Sequence, residues 1–273
     1  ALPILNNNPF SKFEIDHLSP SAINTFIADP CIYILRYLYK HKGPSNPAMW
    51  RGTVVDEGIG KRLGFKKVKG KWVKGKTKTT KANTIKFAEK QFDGLHRYHK
   101  TKIDVDTDRA EREKAFVPKY LEVAMPYYDV LGQPVSYQKK INLQLDEIPI
   151  PIIGYIDLQY DGIVRDIKTV SRLPSEIPSG VNRQLSVYAM AEDSMPVVDY
   201  VYVTKTRAEV ITMPVTDIDF HIATVKKVAH TIMNLLSYSD DINQIANLYF
   251  PDFDDWRWSP EDIAVAETIW RVK

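Results

Sequence analysis

Apolar positions along the chain follow two different periods, and the period changes near residue 135. Before this point apolar residues recur every three to four positions, which is typical of amphipathic helices. After it, Ile141, Leu143 and Leu145 alternate with polar residues, which is typical of a half-buried strand. Helices are therefore predicted over residues 19–29, 32–39, 49–61, 83–100 and 106–125. Beyond them the pattern predicts strands over 135–145, 150–158 and 162–169, a helix over 182–191, and a hairpin of strands over 200–204 and 209–213.

Two further helices are predicted towards the end of the chain. Residues 217–238 have a long amphipathic pattern. Ser259 and Pro260 then have the N-cap and first-turn identities that start a helix, and Asp262 stands where a capping box places an acid. The same Ser-Pro start precedes the first predicted helix.

The order of these elements predicts an α/β protein, with a central mixed β-sheet flanked by helices and a helical, lysine-rich lobe. Because no internal repeat or low-complexity linker divides the chain, residues 1–273 are predicted to be one domain. Its predicted parts are N-terminal helices (18–60), a basic helical insertion or lobe (61–134), the sheet core (135–216) and C-terminal helices (217–273).

Positive charge is concentrated in one part of the sequence. The whole chain has 37 Lys and Arg against 34 Asp and Glu, a net charge of +3 that implies no partner by itself. Residues 61–102, however, hold 15 Lys and Arg against Glu89 and Asp93, a local net charge of +13. This segregation indicates a polyanionic partner on one face. The alternative is a solvated lysine loop.

The densest part of this basic region is residues 64–82, which are expected to form a hairpin or a mobile loop. Its lysines could neutralise phosphates, and Trp72 could stack on a base, as in grooves that bind single strands. Packing of Trp72 within a small hairpin is the alternative. The candidate nucleic-acid-binding residues are Lys66, Lys67, Lys69, Lys71, Trp72, Lys74, Lys76 and Lys78.

Composition excludes several classes of site. The single cysteine, Cys31, excludes an internal disulfide framework and any zinc or iron–sulfur site made only of cysteines. The sequence contains no run of 18 apolar residues, so no membrane span is predicted. The first residues lack the basic and apolar regions of a signal peptide, so a cytosolic, reducing location is expected, in a bacterial or phage-infected host cell.

Candidate chemistry lies on two neighbouring predicted strands. Asp157 is placed at the end of one strand, and Asp166 and Lys168 follow on the next. Period two puts Asp166 and Lys168 on the same face, while Ile167 points into the core and leaves its carbonyl near the site. Two carboxylates and a carbonyl suit Mg²⁺ or Mn²⁺, and a nearby lysine can orient water or stabilise charge on a phosphate. A cross-strand salt bridge is the structural alternative.

Two further pairs of residues have a defined geometry on predicted helices. Gln184 and Tyr188, at i and i+4, share one helix face. Asp56 and Glu57 are adjacent on the helix over 49–61, so they point about 100° apart and only one can face a given site.

Five short motifs in this order resemble the RecB-like branch of the PD-(D/E)XK nuclease superfamily, which includes CRISPR-associated and phage RecB-like exonucleases. They are SPSAINTF with PC (19–26, 30–31), RGTVVDE (51–57), GYID (154–157), DIKT (166–169) and QLSVYA (184–189). The resemblance implies a restriction-endonuclease-like core. It also implies a metal-dependent DNA nuclease, with exonuclease action in recombination, repair or CRISPR-type DNA processing. The alternative is a nucleic-acid-binding or assembly module that does not cut. DNA is the implied partner, no membrane is, and the oligomeric state is left open.

The resemblance also assigns roles to residues. Asp157 and Asp166 would be ligands of Mg²⁺ or Mn²⁺, with the Ile167 carbonyl as a third. Lys168 would be the catalytic lysine. Gln184 and Tyr188 would support the lysine or contact the nucleic-acid backbone.

The chain departs from the family pattern in two places. The usual metal-binding histidine is replaced by Asp56, which can still bind a hard cation, and Glu57 is the competing candidate. Many relatives hold an iron–sulfur cluster through the first cysteine and three C-terminal ones. Because only Cys31 is present here, no cluster is expected, and Cys31 is predicted to be an inert core thiol. Trp256 and Trp258 are expected to pack the C-terminal helix in its place.

Overall fold

The computed structural model describes residues 8–43, 45–75, 77–103 and 105–270. These residues form two compact units. The terminal unit contains residues 8–43, 141–154 and 217–270, and the central unit contains residues 45–140 and 155–216, without the undescribed positions 76 and 104.

Each predicted helix and strand overlaps an element of the structure. The first part of the chain contains a 3₁₀ turn (Ser11–Phe13), α1 (Pro20–Ala28), α2 (Pro30–Tyr33), a π-helical turn (Ile34–Leu38), α3 (Pro47–Arg62), β1 (Phe65–Val68), β2 (Lys71–Lys74), α4 (Lys81–Lys100) and α5 (Thr107–Leu131). The second part contains β3 (Ser136–Leu143), β4 (Ile152–Tyr160), β5 (Ile163–Val170), α6 (Ser179–Glu192), β6 (Met195–Val203), β7 (Ala208–Pro214), α7 (Ile218–Ser237), α8 (Ile242–Ala246) and α9 (Pro260–Trp270).

The main sheet has the strand order β3-β4-β5-β6-β7 within the described residues. β4 pairs antiparallel with β5, β5 parallel with β6, and β6 antiparallel with β7. The sheet is therefore mixed, as predicted. Helix α6 supplies the crossover that a parallel pair requires between β5 and β6.

The prediction that Asp157 ends a strand is wrong. β4 continues to Tyr160, and its register with β5 runs from Leu158 opposite Arg165 to Tyr160 opposite Ile163. Gly162, with a φ of 66°, makes the tight turn between the strands. The apolar pattern in the sequence stops at the polar Gln159, but the strand continues through it. The acidic residues consequently lie inside β4 and β5, away from the strand ends.

The basic segment folds as a hairpin, which decides between the two predicted forms. β1 and β2 pair antiparallel, with Val68 opposite Lys71. The residues between them, Lys69 and Gly70, both have positive φ (49° and 79°), as a two-residue hairpin turn requires.

One hydrophobic core joins the helices and the sheet of the central unit. Trp50 and Val55 of α3, Leu121 of α5, and Leu158 and Val201 of the sheet are all buried in it. Helix α5 runs past Pro126 to Leu131, beyond its predicted end. The basic insertion is therefore packed on the same core as the candidate chemistry.

The terminal unit has a core formed by Cys31, Ile32, Leu35, Trp258 and Ala266. Burial, and to a smaller extent the nearby Asp29, raises the pKa of the Cys31 thiol to about 12, so the reactive thiolate is disfavoured.

Two expectations for the C-terminal segment need correction. Trp258 is buried, and its indole donates a hydrogen bond to Asp29 Oδ2 (3.0 Å), but Trp256 is 86% exposed and does not pack with it in this core. The Asp262 amide donates to Ser259 Oγ (3.0 Å) as an N-cap requires, but the Asp262 carboxylate lies 3.0 Å from His41 Nε2. The capping box is therefore only half formed, because the Asp262 carboxylate pairs with the ring of His41 and not with the N-cap backbone. Within the described ranges, every helix is too short or too polar to cross a bilayer.

Candidate active site

β4 and β5 bring four of the predicted residues together. The Ile167 amide donates to Asp157 Oδ2 (2.8 Å), just beyond the last paired residues of the two strands. Asp166 is almost fully buried, and Lys168 Nζ lies 2.7 Å from Asp166 Oδ2. Asp166 and Lys168 therefore share one face of β5, while the Ile167 side chain is buried in the core of the central unit.

Helix α6 places the predicted Gln184 and Tyr188 beside this group. Gln184 Nε2 donates to Asp166 Oδ1 (3.0 Å) and to Tyr188 Oη (2.9 Å). The amide thus holds the second oxygen of the carboxylate that pairs with Lys168. The three elements β4, β5 and α6 converge on Asp166.

Helix α3 contributes Asp56 but turns Glu57 elsewhere. Asp56 Oδ2 accepts hydrogen bonds from Tyr137 Oη (2.9 Å) and Gln138 Nε2 (2.9 Å). Glu57 instead pairs with Lys67 of the hairpin (3.3 Å). Of the two candidates, Asp56 is the one that shares a partner with the acidic group on β4.

The Arg-Gly pair of the motif explains how α3 is positioned. Arg51 Nη2 donates to the Thr169 carbonyl at the end of β5 (3.4 Å), and Arg51 Nη1 pairs with Glu113 of α5. A Cβ on Gly52 would lie 3.5 Å from Thr169 Oγ1, an ordinary van der Waals contact, so the helix lies close to the strand here without requiring glycine. Asp56 follows one helical turn later.

Gln138 connects the two halves of the site, and no sequence motif predicts this role. Its Nε2 donates to Asp56 Oδ2 (2.9 Å) and to Asp157 Oδ1 (2.8 Å), so one nitrogen bridges two carboxylates. The residue lies in β3 with a φ of 50°, a left-handed conformation that is costly for a residue with a side chain. Hydrophobic alternation does not reveal such a residue, because the pattern records which face is buried and not the backbone angle.

The site holds more acidic than basic side chains, and their pKa values are shifted accordingly. Burial, followed by repulsion from Asp166, raises the pKa of Asp157 to about 7, although Lys168 opposes the shift. Burial and then Asp157 also raise the pKa of Asp56 well above its usual range. Burial disfavours the charged form of Lys168, but Asp166 and Asp157 more than offset this, so the pKa of Lys168 is raised and the ammonium form persists.

The residues fit a hard divalent cation. Asp56 Oδ1 is buried and has no hydrogen-bond partner among the described residues, which leaves a carboxylate oxygen for a ligand to satisfy. In those same ranges, no three Asp, Glu, His or Cys side chains form a metal-binding group. The carboxylates are therefore not gathered as a preformed cage, and a cation here would also take carbonyl and water oxygens into its shell, as is usual for Mg²⁺.

The hairpin places its lysines outward and its tryptophan inward. Lys66, Lys67, Lys69, Lys71, Lys74 and Lys78 are exposed, whereas Lys76 lies outside the described residues. Trp72 is only half-exposed and packs edge-to-face on Tyr137, with 4.9 Å between ring centroids. Because Tyr137 also donates to Asp56, the hairpin is in direct contact with a residue that orients the site.

Comparison with known proteins adds three findings. The model of the PD-(D/E)XK nuclease superfamily matches residues 17–254. A candidate exonuclease from Eubacterium rectale has a similar structure, with a TM-score of 0.54, 11% identity, and coverage of 97% of this chain and 92% of that one. A comparison with curated proteins by sequence finds no match.

Two other solved structures show weaker likeness. SSO0001 has a TM-score of 0.30 and 16% identity, and the match covers 46% of this chain and 60% of that chain. Rai1 from Scheffersomyces stipitis, in complex with 3′-NADP⁺ and calcium, has a TM-score of 0.30 and 11% identity over 84% of this chain and 71% of that one. Neither bears on the fold at this level of similarity.

Proposed function

Because the chain belongs to the PD-(D/E)XK nuclease superfamily and has its restriction-endonuclease-like fold, we propose that it is a divalent-metal-dependent exonuclease that hydrolyses DNA. The observation that carries the proposal is the convergence of Asp157, Asp166 and Lys168 on β4 and β5. Partial burial of three polar groups costs free energy, and a protein that only binds nucleic acid has no need of such a group.

Asp157, Asp166 and the Ile167 carbonyl would hold Mg²⁺ or Mn²⁺, and Asp56 rather than Glu57 would be the ligand from α3. When bound, such a cation supplies Lewis-acid stabilisation of the charge that develops on phosphodiester oxygens. The cation would in turn offset the repulsion between the carboxylates, which adds to the effect of burial in raising the pKa of Asp157 and of Asp56.

Lys168 and Tyr188 would act on the attacking water or the nucleic-acid backbone, and Gln184 would position Asp166. The persistent ammonium of Lys168 can donate a hydrogen bond to the attacking water or to a phosphate oxygen. Gln184 holds Asp166 in place, and because Tyr188 Oη accepts from Gln184, its own hydrogen can be donated to the nucleic-acid backbone. Burial raises the pKa of Tyr188 to about 12, so that hydrogen is retained at neutral pH.

The choice of DNA and of action from ends rests on the resemblance to RecB-like exonucleases and on the exposed lysines of the hairpin. The structural relative from Eubacterium rectale is also described as a candidate exonuclease. A role in recombination, repair or CRISPR-type processing is part of the same proposal.

The test is digestion of end-labelled linear DNA by the purified protein in Mg²⁺ or Mn²⁺. Asp157→Ala, Asp166→Ala and Lys168→Ala are each expected to slow cleavage on the order of 10²-fold or more, because each acts on transition-state charge. Asp161→Asn, at an exposed acid in the turn between β4 and β5, is the matched control and should cleave normally.

Four outcomes would contradict parts of the proposal. Cleavage that survives Asp166→Ala would remove the site assignment. Cleavage of closed circular DNA would contradict the proposed action from ends. A preference for RNA would contradict DNA as the substrate. Binding without cleavage in either metal would favour the module that does not cut.

A further inference from the structure

One face of β4 carries an exposed aromatic side chain next to the candidate active site. The even-numbered residues of the strand from 152 to 158 are buried, whereas Tyr155, Asp157 and Gln159 on the opposite face are half-buried or exposed. Because side chains alternate along a strand, these three residues follow one another in a row on the face that holds Asp157. Tyr155 is therefore the neighbour of a candidate metal ligand on that face.

The two ends of this row differ in how far they are covered. At one end, Gln159 Nε2 donates to Glu192 in the last turn of α6 (2.7 Å), so the helix closes the face there. At the other end Tyr155 is 53% exposed, and its side chain makes no hydrogen bond, ion pair or ring contact within the described ranges. The Lys168 side chain on β5 is also 33% exposed. A substrate that reaches Asp157 therefore has its open path along Tyr155.

A phenol ring at this position suits the base of a nucleotide. Residues two apart on a strand are separated by roughly 6.4–6.8 Å, which a single nucleotide can span between its phosphate and its base. A base gains free energy by stacking on an aromatic side chain whatever its identity, because every base has a π-face. In a duplex the neighbouring pairs cover both faces of each internal base, so a ring beside the acidic group can stack only on a base that is unpaired or at an end.

We propose that Tyr155 stacks on one unpaired base of the DNA strand whose phosphate lies at the acidic group, so that the site accepts single-stranded or frayed ends. The inference rests on the proposed function and deepens it, because it adds a contact to the base where that function describes contacts to the phosphate and the attacking water. The ring and not the hydroxyl makes this contact. Phenylalanine should therefore replace Tyr155 with little loss of affinity.

The test is anisotropy of a short fluorescein-labelled oligo(dT) bound to the full chain in Mn²⁺. Lys168→Ala serves as the parent protein, because it keeps the carboxylates and is expected to cleave slowly. In this parent, Tyr155→Ala is expected to weaken binding by roughly tenfold or more, the range that loss of one stacked base produces, and Tyr155→Phe should retain most of the affinity. Tyr238→Ala is the matched control, since Tyr238 is 61% exposed but belongs to the terminal unit.

A series of oligonucleotides that each lack one base identifies the contact. Removal of the base that stacks on Tyr155 should weaken binding to the parent by a similar factor and should have no further effect on Tyr155→Ala. Such coupling is the signature of a direct interaction, and a ring that only stabilises the fold would not produce it at one nucleotide. A duplex with a single-stranded overhang should also bind the parent more tightly than a blunt duplex, and Tyr155→Ala should reduce this difference.

Several results would overturn the proposal: equal affinity of the parent and Tyr155→Ala, an equal loss in Tyr238→Ala, no binding of oligo(dT) by the parent, or a loss in Tyr155→Ala that is not coupled to any one base. A blunt duplex that binds the parent as tightly as one with an overhang would overturn the preference for unpaired ends. Coupling between Tyr155 and one base, in a protein whose wild type cleaves nothing, would sustain the stacking contact while the proposed function failed. Cleavage by the wild type without this coupling would give the reverse result.

Discussion

Gln138 is the residue on which the candidate site depends most at the scale of single side chains. Both of its partners, Asp56 and Asp157, are acceptors, so the amide nitrogen must face them. Its left-handed backbone costs on the order of 1–3 kcal/mol, and such strain is typical of functional sites. In the absence of a cation, this amide is the group that separates two carboxylates which would otherwise repel each other.

Gln138→Ala is expected to lower the free energy of unfolding by about 1–3 kcal/mol in EDTA, since two partly buried carboxylates lose their shared donor. Mn²⁺ should then raise the melting temperature of the variant more than that of the wild type, because the cation takes over the role of the amide. Differential scanning calorimetry with and without Mn²⁺ measures both effects.

Gln159→Ala is the control for this substitution. Gln159 also donates a side-chain hydrogen bond, to Glu192 (2.7 Å), and it lies on β4 outside the acidic group. The Gln159→Ala variant should lose stability, but Mn²⁺ should raise its melting temperature by the same amount as that of the wild type. An equal increment in Gln138→Ala and the wild type would show that Gln138 has no part in a metal site.

At the scale of elements, the approach of α3 to β3 decides where Asp56 lies. A Cβ on Gly60 would lie 2.4 Å from the ring of Tyr137, whose hydroxyl donates to Asp56. The ring is rigid and packs against Phe65 and Trp72, so it cannot move aside freely. The helix therefore needs glycine at this position to bring the tyrosine and the acid together.

Gly60→Ala is expected to destabilise the protein by about 1–3 kcal/mol, as overpacking of a core does, and to reduce cleavage by displacing Tyr137. Gly94→Ala in α4 is the matched control. No atom lies within 4 Å of a Cβ there, so the better helix propensity of alanine should add about 0.5–1 kcal/mol. Urea unfolding measures both, and a Gly60→Ala protein as stable as Gly94→Ala would contradict the packing argument.

The elements also show what the sequence could predict. Helical and strand periods, with Ser-Pro starts, located the sheet and its flanking helices, and the short motifs pointed to Asp157, Asp166 and Lys168. The end of β4 was misplaced because Gln159 is polar yet paired. Gln138 was missed because its role depends on a backbone angle and on two partners 82 and 19 residues away. Trp256 and Trp258 have the same identity, and only tertiary structure separates the buried one from the exposed one.

At the scale of the whole molecule, the distribution of charge favours a partner more than a solvated loop. Residues 61–102 hold a net charge of +13, so the rest of the chain holds 3 − 13 = −10. In the structure the lysines of the hairpin point outward, while its tryptophan packs inward on the ring beside Asp56. A strand of DNA drawn to these lysines would therefore lie next to a residue that orients the site.

Replacement of three hairpin lysines by glutamine is expected to weaken DNA binding and to make it less sensitive to salt. Each lost phosphate contact should reduce the slope of log K against log salt concentration by about 0.9 for duplex DNA and about 0.7 for single strands. Fluorescence anisotropy between low and moderate salt measures the slope. The substituted residues are Lys66, Lys69 and Lys71.

Three exposed lysines outside the basic region, Lys42, Lys205 and Lys227, provide a control with the same change in net charge. If only the net charge mattered, both triple variants would lose the same affinity. A hairpin that contacts phosphates requires a lower slope in the first variant alone, because counterions are released only where the strand lies. Equal slopes in both variants and the wild type would show that the hairpin lysines do not contact phosphates. The interpretation as a solvated loop would then stand, and DNA would have to reach Asp166 by another surface.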